Sequence, residues 1–489
     1  MFLDPDQCYR ALRTHDSRFD GRFFVGVGTT GIYCRPVCTA KTPLARNCRY
    51  FPSAAAAESQ GYRPCLRCRP ELAPGYATVD ANRRLAQAAA GMIEDGRLEE
   101  ASLADLAAAL GVTDRHLRRV FQQEFGVSPV DYAQTQRLLL AKRLLTDTPL
   151  PVLEVAMASG FSSLRRFNDL FRTRYRMTPG ALRSAAPARA DADTLRFDLA
   201  YRPPYDWPAM LDFLGRRAVA GVEAVEGNRY RRTVRIERAG KVHQGWIAVA
   251  PSPRKSALRV AASASLAAAV PALLARVKPL FDLACRPDEI AAALGPLARG
   301  NPGLRLPGAL DGFEVAVRAI LGQQVTVRAA TTLAGRFALA FGEPLATPHA
   351  GLDRLFPTPA RIAATASGDI AALGIIAARA RAIVALAGEV ASGALRLDPT
   401  APVDETLAAL ARLPGVGPWT AQYVAMRALA WPDAFPHPDV AVLDAMDEPD
   451  ARRALVRAEA WRPWRAYAVL HLWKSLERRA RPAPQRRKP

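Results

Sequence analysis

The chain has 489 residues, half of them apolar, and its 67 Lys and Arg against 46 Asp and Glu give a formal charge of +21. It contains no uncharged apolar run of about 18 residues, which argues against a membrane-spanning helix, and the acidic, early-broken start "MFLDPDQCYRALRTHDSRFDG" does not fit a signal peptide, so a cytoplasmic location is expected. Clustered Lys and Arg release counterions from phosphates, so the charge points to nucleic acid, although an Arg- and Ala-rich composition would raise it too. The length suits roughly three to four domains at ~100–200 residues each. Seven cysteines, an odd number, argue against a disulfide framework.

Residues 1–75 are rich in Cys, Gly and Pro and contain short β-like runs such as "RFFVGV". Cys34 and Cys38, then Cys65 and Cys68, have the spacing of a tetrahedral zinc site with four thiolate ligands. On spacing alone, a zinc that merely holds a small domain together is the commoner explanation. The stretches "GRFFVGVGTTGIYCRPVC", "NCRYF" and "GYRPCLRCRP" resemble the N-terminal domain of the Ada-type regulators of the bacterial response to DNA methylation. That resemblance implies that Cys34 is both a zinc ligand and a nucleophile. It would take a methyl group from a DNA phosphotriester, once, because a thioether does not leave. Zinc keeps a thiol deprotonated at neutral pH, and the thiolate is the attacking form. Four thiolates around the metal carry about two net negative charges, so methylating Cys34 would reduce repulsion from DNA and raise affinity. Cys8, Cys48 and Cys285 lack such a context and read as ordinary thiols.

Residues 76–183 follow helical periodicity and contain a repeat. Leu103, Leu106, Ala107 and Leu110 are closed by Gly111, and Val152, Val155, Ala156 and Ser159 by Gly160. Each is followed by a second amphipathic helix, with Phe121 and Phe125 or Phe171 and Tyr175, ending before Pro129 or Pro179. Two helix-turn-helix copies resemble the AraC-type DNA-binding domain. By that resemblance the recognition helices start near Asp114 and Ser163 and enter successive major grooves. Arg115, Arg118 and Arg119 on the first, and Ser163, Arg165 and Arg166 on the second, are the expected DNA-facing residues. Solvation of an exposed face is the simpler alternative for each arginine. Double-stranded DNA and RNA polymerase are the partners this arrangement implies, for a chain expected to be a monomer.

A Pro- and Ala-rich linker is expected over 184–194, followed by a β-containing segment over 195–305, a helical one over 306–478 and a basic, disordered tail over 479–489. The run "LPGVGPWTAQY" at 413–423 is a tight turn offering backbone amides, with Trp419 and Tyr423 one helical turn apart after it. Asp439 follows in "FPHPDVAV", where an Asp is by itself better explained as a helix cap. Together with "PPYDWPAMLDFLGRRAVAGVE", "GFEVAVRAILGQQVTV" and "WRPWRAYAVLHLWKS", this block resembles the helix-hairpin-helix DNA glycosylases of the 3-methyladenine II type over about 195–478.

The glycosylase resemblance implies that Asp439 is the catalytic carboxylate, stabilising an oxocarbenium-like sugar. Trp473, Trp419, Tyr423 and Phe213 would hold a flipped cationic base by cation–π attraction, with core packing as the alternative for each. Gly415 and Gly417 would present amides to a phosphate, with a monovalent cation at the hairpin. Gln324 stands where the type enzyme inserts a Leu wedge, and Pro438 where it has an acid. Gln422 stands where strand-cleaving relatives have a Lys, which implies a monofunctional enzyme. No "PCHR" methyl-acceptor box follows.

The expected fold class is multidomain α+β. It comprises a small zinc-bound α/β domain, an all-α double helix-turn-helix domain, an α+β glycosylase N-terminal domain and an all-α helix-hairpin-helix glycosylase domain. The expected function is alkylated-base excision joined to a methylation-triggered activator of transcription. The alternative is a pure methylation-responsive regulator with an inactive glycosylase-like half.

Overall fold

The computed structural model describes residues 4–16, 19–70, 73, 81–148, 150–184, 193–238, 240–253 and 255–479; the linker at 185–192 and the tail from 480 lie outside the described residues. A four-stranded sheet opens the molecule: β1 (Phe24–Val27), β2 (Ile32–Cys34), β3 (Cys48–Phe51) and β4 (Arg63–Pro64), in the order β3-β1-β2-β4. Gly26 in β1 has no room for a side chain, since a Cβ there would lie 2.7 Å from the Phe51 ring. The helix Ala54–Ser59, capped by Ser53, packs this sheet against the helical segment that follows.

The helix-turn-helix repeat forms as Leu103–Ala109 with Asp114–Phe125, then Val152–Ala158 with Leu164–Tyr175, joined by the long helix Pro129–Asp147. Starts are set by polar caps, including a reciprocal Ser102–Asp105 capping box, and by Thr113, Ser128 and Ser163. The two copies bury their apolar faces against different neighbours. Leu117, Phe121 and Phe125 share a core with Phe24 and Tyr33 of the first sheet and with Tyr62 just before β4. Phe167, Phe171 and Tyr175 share one with Leu195, Phe197 and Val260 of the next domain. Each buried Phe contributes roughly 1.5–3 kcal/mol, so both junctions are substantial.

The C-cap positions differ accordingly. Gly126 sits at φ 72° with Pro52 only 3.1 Å from where a Cβ would stand, while the matching Arg176, which is exposed, adopts φ 54°. The arginine costs about 1–2 kcal/mol of left-handed strain, which is tolerable at an exposed position.

A five-stranded antiparallel sheet follows, β5 (Thr194–Ala200), β6 (Glu223–Glu226), β7 (Arg229–Arg238), β8 (Lys241–Pro251) and β9 (Ala257–Ser263), in the order β5-β9-β8-β7-β6. It joins the helical C-terminal part through a buried ion network: Arg318 donates to Glu223 and Glu314, each at 2.8 Å, and Arg232 to Glu314 at 2.6 Å. The rest of the chain is helical apart from a two-residue strand pair, with its largest core running from Val219 to Leu472. Among the described residues no helix is long and apolar enough to cross a membrane.

Candidate metal centre and glycosylase site

The parallel pairing of β2 with β4, Ile32 opposite Arg63 and Tyr33 opposite Pro64, brings both cysteine pairs off adjacent strand ends. The sulfurs of Cys34, Cys38, Cys65 and Cys68 all lie within 4.8 Å of one another. A tetrahedral zinc with ~2.3 Å Zn–S bonds separates its sulfurs by roughly 3.8 Å, so the donor set fits that ion. The protonation pattern of the bare thiols makes the same point. Hydrogen bonding with Cys38 pushes Cys34 far up, and Cys34 does the same to Cys68. Meanwhile Cys34 draws Cys38 down to about 7 and Cys65 well below the thiol range. Four sulfurs this close cannot all ionise without a cation.

Arg35, between the first two cysteines, fixes the loop. Its guanidinium is paired with both oxygens of Asp20, Nε at 2.8 Å, and donates to the Cys68 carbonyl at 3.1 Å. Cys38 and Cys65 are buried, while Cys34 and Cys68 are half-buried. The Arg35 amide donates to the Cys68 sulfur at 3.4 Å, and the amides of Ala40 and Cys68 lower Cys38 and Cys65. Among the described residues no backbone amide donates to Cys34.

Arg115, Arg118 and Arg119 are exposed on Asp114–Phe125, with Arg118 paired to Asp114 at 2.9 Å and Arg119 3.0 Å from His116. Arg165 and Arg166 are exposed at the start of Leu164–Tyr175. Ser163 is the N-cap, its hydroxyl oxygen accepting from the Arg166 amide at 3.4 Å, so that oxygen is already engaged within the helix.

Asp439 is also an N-cap, of Val440–Met446, but capping accounts for one of its three contacts. Oδ1 accepts from the Val442 amide at 3.0 Å and from Trp473 Nε1 at 3.1 Å, and Oδ2 from Trp419 Nε1 at 2.7 Å. The carboxylate is half-buried and reachable. Trp419 stacks on Tyr423 at 5.2 Å and 14°. Phe213 joins the cluster with one side under Arg217, 3.8 Å from the ring centre, and Arg427 at 5.0 Å. Tyr423 is buried, which raises its phenol, but Arg427 and then Arg217 outweigh burial and bring it down to about 8.

The hairpin pairs Val403–Arg412 with Pro418–Arg427. Gly415 turns the chain at φ 77°, and a Cβ at Gly417 would meet nothing within 4 Å, leaving the turn open to a phosphate. Gln323 donates to the Gly415 carbonyl and the Thr420 hydroxyl, each at 2.8 Å, tying the hairpin to the loop that carries Gln324. Gln324 is exposed at φ 52°.

Four family models match in chain order. They are the metal binding domain of Ada over 7–71, a helix-turn-helix domain over 106–185, the AlkA N-terminal domain over 196–311 and the HhH-GPD superfamily base excision DNA repair protein over 317–443. The probable bifunctional transcriptional activator/DNA repair enzyme AlkA of Mycobacterium tuberculosis is 40% identical over 494 residues, 98% of this chain and 97% of that protein. The chain belongs to this bifunctional family. DNA-3-methyladenine glycosylase 2 of Escherichia coli is 38% identical over 279 residues, 57% of this chain and 96% of its own. Regulatory protein ada of Salmonella typhimurium is 36% identical over 142 residues, 29% of this chain and 38% of its own.

Several residues of this bifunctional chain that shape the sites escape sequence reasoning. Gln422 accepts from the Phe435 amide at 3.0 Å, and Arg465 grips Asp433 at 2.7 and 3.0 Å, so the loop leading to Asp439 is anchored at Asp433 and Phe435. Arg427 donates to the carbonyls of Pro307 and Gly308 at 2.7 and 3.0 Å and to the Tyr423 hydroxyl at 3.0 Å. The spacing of Arg427 one turn after Tyr423 is the only sequence hint of that contact. A cavity of about 800 Å³ lies between the halves, lined by residues such as Glu94, Lys278, Asp398 and Trp431; neither Asp439 nor any of the four cysteines borders it.

Proposed function

We propose that this protein excises alkylated bases of the 3-methyladenine kind from double-stranded DNA as a monofunctional glycosylase, and that methyl transfer from DNA phosphotriesters to Cys34 switches it to transcription activation. The observation that carries the glycosylase reading is the Asp439 carboxylate, reachable yet fixed by two indole N–H groups and a helix N-terminus. The lesion nucleotide leaves the stack at a cost of a few kcal/mol, and Gln324 stands beside the vacated space. Charge develops on the sugar as the base departs, and Asp439 meets it without reorganising, because its donors are already in place. An alkylated purine already cationic needs little protonation to leave. At Gln422 there is no amine to form a Schiff base, and its amide is engaged with Phe435, consistent with hydrolysis without strand cleavage.

In the N-terminal domain Cys34, Cys38, Cys65 and Cys68 would hold zinc, which when bound keeps their sulfurs as thiolates near neutral pH. The Cys34 sulfur attacks the methyl carbon of the phosphotriester; an S–C bond forms, the C–O bond breaks, and a phosphodiester leaves with the electron pair. One negative charge is lost from the sulfur cluster, which weakens repulsion from DNA while Arg115, Arg118, Arg119, Arg165 and Arg166 engage it. A monovalent cation at the hairpin would use carbonyls other than that of Gly415, which Gln323 occupies. A monomer that contacts RNA polymerase in the cytoplasm completes the reading.

The test uses methylated duplex DNA with wild type, Asp439→Asn and Cys34→Ser. Expected are free 3-methyladenine from wild type and Cys34→Ser, and an S-methyl peptide at Cys34 from wild type and Asp439→Asn. Equal base release by wild type and Asp439→Asn removes Asp439 from its role. No release by either leaves a regulator with an inactive glycosylase half.

A further inference from the structure

Two guanidinium groups stand inside the aromatic cluster beside Asp439, where a cage built for cations has no use for them. Arg427 is buried, and the Tyr423 hydroxyl is one of its three acceptors, at 3.0 Å. Arg217, just after the helix Trp207–Gly215, lies 3.8 Å from the Phe213 ring centre and also hydrogen-bonds Tyr423. Two cations therefore converge on one phenol oxygen and stand against the Phe213 ring. Among the described residues neither is paired with a carboxylate: Glu223 and Glu314 are occupied by Arg318 and Arg232, and Asp439 by the two indoles.

Resting on the glycosylase reading of this site, we propose that Arg217 and Arg427 make the Tyr423 oxygen the group by which the pocket distinguishes cationic from neutral damaged bases. As a phenol, Tyr423 leaves both arginines to repel a positively charged purine. As a phenolate, it offsets one of them and favours the cation. The change falls in an accessible range, since Arg427 and Arg217 bring Tyr423 down to about 8. Burial raises it, and it is lowered by Arg427 on its own helix, by Arg217, and by Arg318 on Gly312–Leu321. Asp439, bonded to the Trp419 that stacks on Tyr423, is the carboxylate of the cluster. Tyr423 is a specificity-determining residue here, and the two arginines are positioning residues acting through it.

The experiment compares single-turnover release of 3-methyladenine, a fixed cation in the nucleotide, with that of 1,N6-ethenoadenine, which is neutral, from about pH 6.5 to about pH 9.5. The ratio of cationic to neutral release is expected to rise about tenfold across that range with a midpoint near 8. Tyr423→Phe should flatten the ratio at its low-pH level. Arg217→Gln should move the midpoint up by about one unit, because a positive charge is removed. Absorbance near 295 nm provides an independent count. One of the 12 tyrosines should ionise near pH 8, and that step should vanish in Tyr423→Phe. If Tyr423→Phe does not fold, the wild-type and Arg217→Gln titrations carry the test. A ratio that stays flat in wild type, or no tyrosinate near pH 8, overturns the proposal while base release stands. No release of either base at any pH sinks the glycosylase reading and the proposal with it.

Discussion

In the proposed function the zinc centre and the Asp439 site both present an anion to DNA, and they are assembled in opposite ways. At the first, four sulfurs from one short stretch crowd within 4.8 Å and repel one another unless a cation sits among them. At the second, a single carboxylate is shared among three N–H donors from separate helices, and the fold itself stabilises its charge. A cluster that needs its cation is conditional, as suits a sensor. A carboxylate held by the fold is permanent, as suits a catalyst.

The sharpest way to break that contrast is to remove the metal. Structural zinc contributes of order 10 kcal/mol to a small domain, so a strong chelator should melt the first sheet and abolish methyl capture at Cys34. Because Leu117, Phe121 and Phe125 share a core with that sheet, the first helix-turn-helix should lose amide protection with it, while the second, packed against β5 and β9, keeps its own. Base release by the same sample should stay within about twofold, since distant sites act independently. Hydrogen exchange and a release assay on chelated protein check both halves of the statement. Loss of base release on chelation would show that the permanent site depends on the conditional one.

Asp439→Asn is expected to reduce single-turnover base release by about a hundred- to a thousandfold, ~2.7–4 kcal/mol, the magnitude for deleting one preorganised electrostatic group. The melting temperature should scarcely move, because Asn caps a helix as well as Asp does. A variant that loses stability instead of rate would return Asp439 to the role of an ordinary cap.

The zinc side is conditional on pH as well. Glu58 is buried between the two N-terminal domains, accepting from Tyr33 at 2.9 Å and from Thr135 at 3.3 Å. Burial raises its carboxyl to about 7, more than the Tyr33 hydrogen bond and Arg174 lower it. The folded value lies above the unfolded one, so the stabilising contribution is full below about pH 4.5 and is lost as pH rises through about 7, of order 3 kcal/mol. Glu58→Gln should remove this dependence. Its melting temperature should exceed that of wild type at pH 8 and match it near pH 5, by calorimetry of the two proteins.

The sequence carries these regions unequally. The four cysteines are legible because their spacing is local and thiolate chemistry is narrow. The helix-turn-helix repeat is legible because periodicity and glycine placement recur. Nothing in that periodicity says that one copy buries Phe121 under the zinc domain and the other buries Phe171 under β5 and β9; both copies show the same apolar face. The proposed glycosylase residues span Phe213 to Trp473 and come together only when the chain folds, so a motif resemblance is needed to collect them. Arg35, Arg217, Arg427 and Arg465 were hidden among 67 Lys and Arg, where a solvated surface is the usual explanation. Their partners are carbonyls, a phenol and carboxylates distant in sequence, which no local pattern records. Ser163 reads equally as a DNA contact or a cap until the Arg166 amide is seen to point at it.

The smallest expected effect tests how evenly the carboxylate is held. Trp419→Phe and Trp473→Phe each delete one indole N–H from Asp439 while keeping an aromatic ring in place. A hydrogen bond to a charged group contributes ~1.5–3 kcal/mol, so each variant should lose roughly a factor of ten or more in base release. The loss should be larger for Trp419, whose bond is 2.7 Å, than for Trp473 at 3.1 Å. Since both donors serve one carboxylate, the double variant should depart from the product of the single losses. Single-turnover rates for the four proteins measure that coupling. Strict independence would mean that the two indoles act through the base stack and not through Asp439. The permanent anion would then be secured by its helix N-terminus alone, which is one donor where the zinc centre has a full coordination shell.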